Sequence, residues 1–479
     1  MRSGALSSGA VLALLAGCVV GPDYHPPSEQ APEKWATPLA GGEANAPAAL
    51  AAWWTGFKDP ELDALMTTAV RSNLTVHVAE DRVREARAER EVVAGRRWPS
   101  GAASAAYSRN RYGAHAYPPL GSFPGVPLDY NLYNVGFDAA WELDIFGGVR
   151  RAVEASSAEV GAAEYARRDV LVSVLAEVAR NYIDARAYQE RLAITRENIA
   201  AQQDTLELTR SRYRSGISSD LDVQQANALL TATQAELPAL ETGFAQSVHQ
   251  LSVLLGQDPG AMLGTMSRVK PIPLTPPVVP VGLPSDLLRR RPDIERAERE
   301  LAASTAEIGV AKAELFPKFS LTGGLGVEST SPGNLLEYAS RYWSAGPAIQ
   351  WNLFAGGSLR ANVRLQKARA EQAVDTYRQT VLVALEDTED ALVAYAKEQT
   401  RRSSLEQSVQ SSRAAFQLSS ELYRSGLVDF LNVLVTERAL YNAQDALVVS
   451  SQSVSLDLVQ LYKALGGGWQ EDAAPESGP

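Results

Sequence analysis

From Tyr133 onward the chain alternates. Tyr133, Val135, Phe137, Ala139, Trp141 and Leu143 are apolar, while Asn134, Gly136, Asp138, Ala140, Glu142 and Asp144 between them are small, polar or acidic. Period-two alternation of this length predicts a strand with one apolar face. A partner strand is expected over Ala103 to Arg111, joined to it by the Gly/Pro-rich loop Gly113 to Pro127. Pro60 to Arg97 is helical in pattern, with breaks at Asn73 and Pro99. After Gly147-Gly148 the pattern turns helical again, and no proline occurs between Val149 and Leu237. Arg150 to Arg214 is predicted as one helix of about 100 Å at 1.5 Å per residue, far beyond the usual globular length, so long helical partners are expected. Gly216 breaks it, and a second helix is expected from Ser219 to Leu255 with a kink at Pro238.

The pattern then restarts. A helix over Pro292 to Leu315 precedes a strand in which Phe319, Leu321, Leu325 and Val327 alternate with Lys318, Ser320, Thr322 and Glu328. Another follows, with Trp343, Ala345, Ile349, Trp351 and Leu353 set against Ser344, Gly346, Gln350 and Asn352. Gly356-Gly357 echoes Gly147-Gly148, a long helix is predicted over Leu359 to Arg424, Gly426 breaks it, and a last helix runs to Leu465. The words YRSGISSDLDV (from Tyr213) and YRSGLVDFLNV (from Tyr423) stand 210 residues apart (423 − 213). Leu208, Leu221, Val223, Leu230, Gln234, Leu237, Gln250, Leu251, Leu255 and Gly256 keep the same spacing. The chain therefore reads as an internal duplication of the order helix, strand, strand, long helix, tip, helix. The expected segments are a leader (1–17), an extended N-terminal stretch (18–58), a first repeat (59–268), a Pro-rich linker (269–285), a second repeat (286–467) and a flexible tail (468–479).

Composition changes the picture in two ways. The net charge of −11 argues against a nucleic-acid partner, and no stretch beyond the N-terminus approaches the ~20 apolar residues of a spanning helix, which leaves a β-barrel open. The single cysteine, Cys18, follows a positive start at Arg2, a short apolar run from Ala10 to Leu15, and the sequence LAGC. That pattern is a secretory signal, and LAGC resembles the bacterial lipobox, which would make Cys18 the lipidated N-terminus. With Val19 rather than Asp next to it, the implied destination is the outer membrane. The four histidines, His25, His77, His115 and His249, lie at no metal-ligand spacing, and TGGLG (Thr322 to Gly326) falls in a strand rather than before a helix. No catalytic constellation, metal site or cofactor site is expected.

Four strands cannot close a barrel, and an open sheet edge is forbidden in lipid. Either the sheet packs on the helices as in a soluble protein, or several protomers pool their strands around a wet lumen. Aromatics on one face and Asp, Glu, Asn and Lys on the other favour pooling. The helices then extend from the barrel, and the YRSG tips are the far end of a conduit.

Leu283 to Gly326, LPSDLLRRRPDIERAERELAASTAEIGVAKAELFPKFSLTGGLG, resembles the signature of the TolC-like outer-membrane efflux lipoproteins of the NodT branch, and CVVGPDYHPP (Cys18 to Pro27) resembles the start of their mature chains. The resemblance implies an α+β membrane protein: a homotrimer in which each protomer gives four strands to a 12-stranded transmembrane β-barrel, continued by a periplasmic α-helical barrel closed at its tip. It implies a periplasmic adaptor, an inner-membrane pump of the resistance-nodulation-division type, outer-membrane lipid around the barrel, and small molecules (drugs, solvents or metal ions) as cargo. It also places a gate at the tips, with Asp222 bonded to Tyr423 and Leu431 constricting the pore. Asn432 and Val435 stand where some relatives carry acidic rings, and Asp220 and Asp429 supply the remaining tip charge. Tyr213, Arg214, Ser215 and Gly216 of one tip, and Arg424, Ser425, Gly426 and Leu427 of the other, are the implied adaptor-docking turns. The competing expectation for the tyrosines is that they simply pack against the turn. The competing functions are a type I secretion conduit and a periplasmic coiled-coil scaffold lipoprotein.

Overall fold

The computed structural model describes residues 19–27, 31–39, 43–44, 50–113, 128–273, 275–276 and 278–470. The lipidation candidate Cys18, the leader, His115, most of the Gly/Pro-rich loop and most of the C-terminal tail lie outside them. The main elements in chain order are α1 (Pro60–Ser72), α2 (Leu74–Gly95), β1 (Ser100–Arg111), β2 (Asp129–Leu143), α3 (Gly148–Arg214), α4 (Asp220–Leu254), α5 (Pro284–Arg290), α6 (Pro292–Ala313), β3 (Lys318–Ser329), β4 (Arg341–Gln350), α7 (Ser358–Arg424) and α8 (Phe430–Ala464). Among the described residues no helix is long and apolar enough to cross a membrane.

The duplication is visible in the element bounds. α3 and α7 both have 67 residues and start 210 apart (358 − 148), and α4 and α8 both have 35 residues and start 210 apart (430 − 220). The offset differs upstream. α2 and α6 both have 22 residues but start 218 apart (292 − 74), as do β1 and β3 (318 − 100). The first repeat is therefore the longer by eight residues (218 − 210) between α2 and α3, and the change of register falls in the strand–loop–strand segment. Loops absorb such changes at small cost, whereas a packed helix cannot.

The chain's contacts group into two units. The first comprises Met1–Pro27, Arg84–Ala162 and Ala297–Thr376 and contains the sheet. Its strands are antiparallel in the order β1-β2-β3-β4, so the two hairpins of the two repeats are joined by the β2–β3 pairing. The register carries both sequence patterns across the sheet. Phe137 pairs with Leu325 and Leu325 with Trp343; Trp141 pairs with Leu321; Leu143 pairs with Phe319 and Phe319 with Ile349. These residues share one face. The opposite face carries Asn134, Asp138, Glu142, Lys318, Thr322, Glu328, Ser344 and Gln350. Phe137, Leu325, Trp343 and Ile349 are exposed, so among the described residues nothing covers this part of the apolar face. The strands differ from expectation at their ends. β1 begins at Ser100 and β2 at Asp129, and β4 stops at Gln350, leaving Trp351, Asn352 and Leu353 beyond it. Trp351 instead turns its indole N–H to the Leu315 carbonyl at 3.1 Å.

The second unit comprises Ser28–Val83, Ala163–Arg296 and Tyr377–Pro479. α1 starts with Asp59 accepting from the Glu61 and Leu62 amides and Pro60 at its first position, and buries Leu62, Leu65, Met66 and Ala69. Arg186, wholly buried, is held by the Glu61 carboxylate at 2.7 Å, Gln189 at 2.7 Å and the Arg268 carbonyl at 2.9 Å. Around it α3 is buried on most sides, with Leu175, Val178, Ala179, Tyr182 and Ile183 in the core. Toward its C-terminus only one stripe stays buried: Leu192, Thr195, Asn198, Gln202, Leu206 and Thr209. Their three- and four-residue spacing is that of a coiled-coil seam, but four of the six are polar. Pro238 lies within α4, where its missing N–H leaves the Gln234 carbonyl without its intrahelical donor.

Candidate gate at the helical tips

The two tips are built alike. In the first, Ile217 N–H donates to the Arg212 carbonyl and Gly216 N–H to the Tyr213 carbonyl, each at 2.9 Å. In the second, Leu427 donates to Leu422 and Gly426 to Tyr423 at the same distances. This is the Schellman arrangement that closes a helix C-terminus. It requires a left-handed residue, and Gly216 (φ 73°) and Gly426 (φ 77°) supply it. Ser215 and Ser425 bond back to the carbonyls of Ser211 and Glu421.

After the turns the copies diverge. Ser219 caps α4 by accepting from Asp222 N–H at 3.3 Å, while the Asp222 carboxylate accepts from Ser219 N–H at 3.1 Å and from the Ser218 hydroxyl at 2.8 Å. This reciprocal box satisfies two helix-end donors. In the second tip Asp429 holds the cap position without a side-chain cap bond, and Asn432, at the place of Asp222, turns its amide to the Asp429 carbonyl at 3.4 Å. Asp220 accepts from Gln224 at 3.5 Å.

The tyrosines diverge as well. Tyr423 is 4% exposed and packs in a small core with Leu206, Ala226, Leu230, Phe430 and Val433, its ring centroid 5.6 Å from that of Phe430. Tyr213, its repeat counterpart, is 47% exposed. The Tyr423 hydroxyl is buried and has no hydrogen-bond partner among the described residues. The expected Asp222–Tyr423 bond is thus not made within the protomer. Asp222 is committed to its own turn, and Tyr423 is inserted into apolar packing.

What the sequence did not signal is Arg212, one residue before the repeated word. Its Nη1 donates to the Tyr423 carbonyl at 3.0 Å and reaches the Arg424 carbonyl at 3.4 Å, with its guanidinium carbon 4.6 Å from the Tyr423 ring centroid. Arg214 stays on its own helix, bonding the Arg210 carbonyl at 3.4 Å, and the Arg424 side chain is exposed. The tips also expose apolar side chains: Ile217 and Leu221 on the first, Leu427, Leu431 and Val435 on the second. Leu431 and Val435 are four apart on α8, so they form one apolar stripe. Such a stripe, flanked by charged turns, suits a constriction that closes by dewetting or a surface for a partner helix.

Comparison with known proteins agrees with this architecture. The chain matches the outer membrane efflux protein family over residues 65–257 and 283–467, one segment in each repeat. It is 32% identical to Nodulation protein T of Rhizobium leguminosarum bv. viciae over 480 aligned residues, covering 99% of this chain and 95% of that protein. It is 33% identical to the solvent efflux pump outer membrane protein SrpC of Pseudomonas putida, covering 96% of this chain and 97% of that protein. Among solved structures it resembles the outer-membrane channel OprN with a TM-score of 0.87 at 38% identity, covering 95% of this chain and all of that one. The expected α+β membrane-channel fold holds: a four-stranded sheet and long helices, in an internal two-fold repeat. The chain belongs to the outer membrane efflux protein family, in its NodT-type branch, and is the outer-membrane channel of an efflux system.

Proposed function

We propose that three copies pool their sheets into a 12-stranded barrel and their helices into a periplasmic conduit gated at the YRSG tips. The observation that carries this is the sheet itself. It has four strands, two chemically opposite faces and an apolar face that stays exposed among the described residues. Lipid suits the face of Phe137, Trp343 and Ile349; water suits that of Asp138, Glu142 and Glu328. Lipidation at Cys18 would add an anchor in the same membrane. The conduit receives cargo from an inner-membrane pump of the resistance-nodulation-division type through a periplasmic adaptor docked on the tip turns, from Tyr213 to Gly216 and from Arg424 to Leu427. The cargo class is small molecules, in keeping with the solvent pump named among the relatives. The pathway is a passive one with no catalytic centre.

Asp222 and Tyr423 take part in the gate by different means from a mutual bond. Asp222 holds the α4 start rigid, and Tyr423 wedges the α7 end into the tip core. Leu431 and Val435 present the apolar constriction, and Asp220, Asp429 and Asn432 set the charge around it.

Planar-bilayer recordings of the purified trimer test this. Asp222→Ala removes the capping box, worth ~1 kcal/mol, and raises the leak conductance several-fold. A protein that gives no channels at all, or that leaves membranes on Cys18→Ser substitution, would instead be a scaffold lipoprotein.

A further inference from the structure

Arg212 breaks the symmetry of the duplication. The second repeat carries Leu422 at the corresponding place (212 + 210), and that side chain has no charge to offer. The Arg212 side chain leaves the end of α3 and crosses to the end of α7, where it bonds the Tyr423 and Arg424 carbonyls and lies over the Tyr423 ring. Both carbonyls lie in the last turn of α7, at the negative end of the helix dipole; the Tyr423 carbonyl also accepts from the Gly426 N–H, and the guanidinium adds a second donor to it. A guanidinium answers both features at once: its planar fork donates to carbonyls and its face stacks on an aromatic ring.

The contact is also incomplete. Arg212 Nε and the Tyr423 hydroxyl are both buried without a hydrogen-bond partner among the described residues. Each such group costs ~1–3 kcal/mol while it stays dry, and water satisfies both once the tips part. The carbonyl bonds and the stacking favour the closed arrangement, and the two dry groups oppose it. A contact balanced in this way holds without being permanent.

We propose that Arg212 is the positioning residue that fastens the two tips of one protomer to each other, so that they open as a joined pair whose joint can be released. Its consequence for conductance rests on the gate assignment above; its consequence for tip order does not.

The test is hydrogen exchange on the full-length trimer in detergent, read on peptides spanning Leu422 to Leu431, alongside bilayer conductance. Arg212→Met speeds exchange at the Gly426 and Leu427 amides at least tenfold. Arg212→Lys, which keeps the charge but not the fork, gives an intermediate rate and serves if the methionine variant does not assemble. Arg210→Met is the comparison, since Arg210 is exposed and pairs with Glu207 on its own helix; it keeps the wild-type rate. Wild-type exchange in both Arg212 variants, or equal loosening by Arg210→Met, overturns the proposal. Faster exchange with unchanged conductance supports the fastening role while removing the gate from the tips. Raised conductance with wild-type exchange supports the gate and overturns the fastening.

Discussion

The carboxyl of Glu437 on α8 accepts from the Thr205 hydroxyl of α3 at 3.5 Å, and its second oxygen is buried with no hydrogen-bond partner among the described residues. Burial pushes this acid up to about 7 from an ordinary value of 4.5, with Thr205 opposing weakly. Gln202, on the buried stripe of α3 one turn from Thr205, also has both amide atoms without a hydrogen-bond partner among the described residues. The next titratable contacts along this seam are Tyr441 with Glu236, then Arg191 with Asp445 at 2.7 Å.

Stability should therefore fall as pH rises through this range. Below about 4.5 folded and unfolded chains both hold the proton, and the neutral acid is buried at little cost. Between 4.5 and about 7 only the folded chain holds it, so each step up in pH favours unfolding; above 7 the loss is complete. The total is on the order of 3 kcal/mol. Glu437→Gln should flatten this part of the profile and leave the trimer more stable than wild type at pH 8. Thermal melts at pH 5 and pH 8 check it: an undiminished pH difference in the variant would assign the effect elsewhere.

Tyr423 gives opposite expectations for two substitutions. Its ring fills the tip core and lies under Arg212, whereas its buried hydroxyl has no hydrogen-bond partner among the described residues. Tyr423→Ala should loosen the tips and raise leak conductance, with a cavity cost of roughly 3–5 kcal/mol. Tyr423→Phe removes only the dry hydroxyl and should lower leak, by about fivefold if ~1 kcal/mol is recovered. A bond between Asp222 and Tyr423 would require the phenylalanine variant to leak more, so single-channel recording separates the two arrangements.

The duplication was legible because both copies repeat local chemistry. Trp141 donates to the Arg97 carbonyl at 2.9 Å and Trp351 to the Leu315 carbonyl at 3.1 Å, each tying a strand end to the helix before it. The helix breaks at Gly216 and Gly426 were equally plain, since each needs a left-handed residue. The tip contacts were not. Arg212 reads as one more charge on a long polar helix, and only the placing of the α7 end within reach of its side chain turns it into a clamp. The seam through Thr195, Asn198, Gln202 and Thr209 was hidden for a related reason: periodicity is read from apolar residues, and this buried stripe is largely polar. Asp222 stands out in the sequence as an acidic residue after the first tip, but its bonds within the protomer are to Ser218 and Ser219 of its own turn, which its type alone does not signal.

Close strand approach makes two glycines of the sheet unequal. A Cβ on Gly326 would lie 2.5 Å from the Val135 carbonyl oxygen and 2.8 Å from both Gly136 Cα and the Tyr342 hydroxyl, whereas a Cβ on Gly346 would meet nothing within 4 Å. Gly326→Ala should therefore disrupt the β2–β3 pairing that joins the two repeats, and Gly346→Ala should be tolerated. The measure is the yield of heat-modifiable trimer in outer-membrane fractions; equal yields would place this face in looser packing than the register indicates.

The polar face of the sheet predicts which ions the open channel prefers. Asp138, Glu142 and Glu328 share it with one lysine, Lys318, which is itself paired to Glu314 at 2.7 Å. If that face lines the lumen, each protomer contributes an acidic excess to it, and threefold pooling multiplies the field. The open channel should then favour cations. The preference should grow as salt is lowered, because the screening length lengthens from about 10 Å at 0.1 M to about 30 Å at 0.01 M. Asp138→Asn combined with Glu328→Gln should move the reversal potential under a potassium chloride gradient toward zero, most clearly at low salt. A reversal potential that stays at its wild-type value would mean that this face does not line the ion path, and the pooled barrel would have to be oriented otherwise.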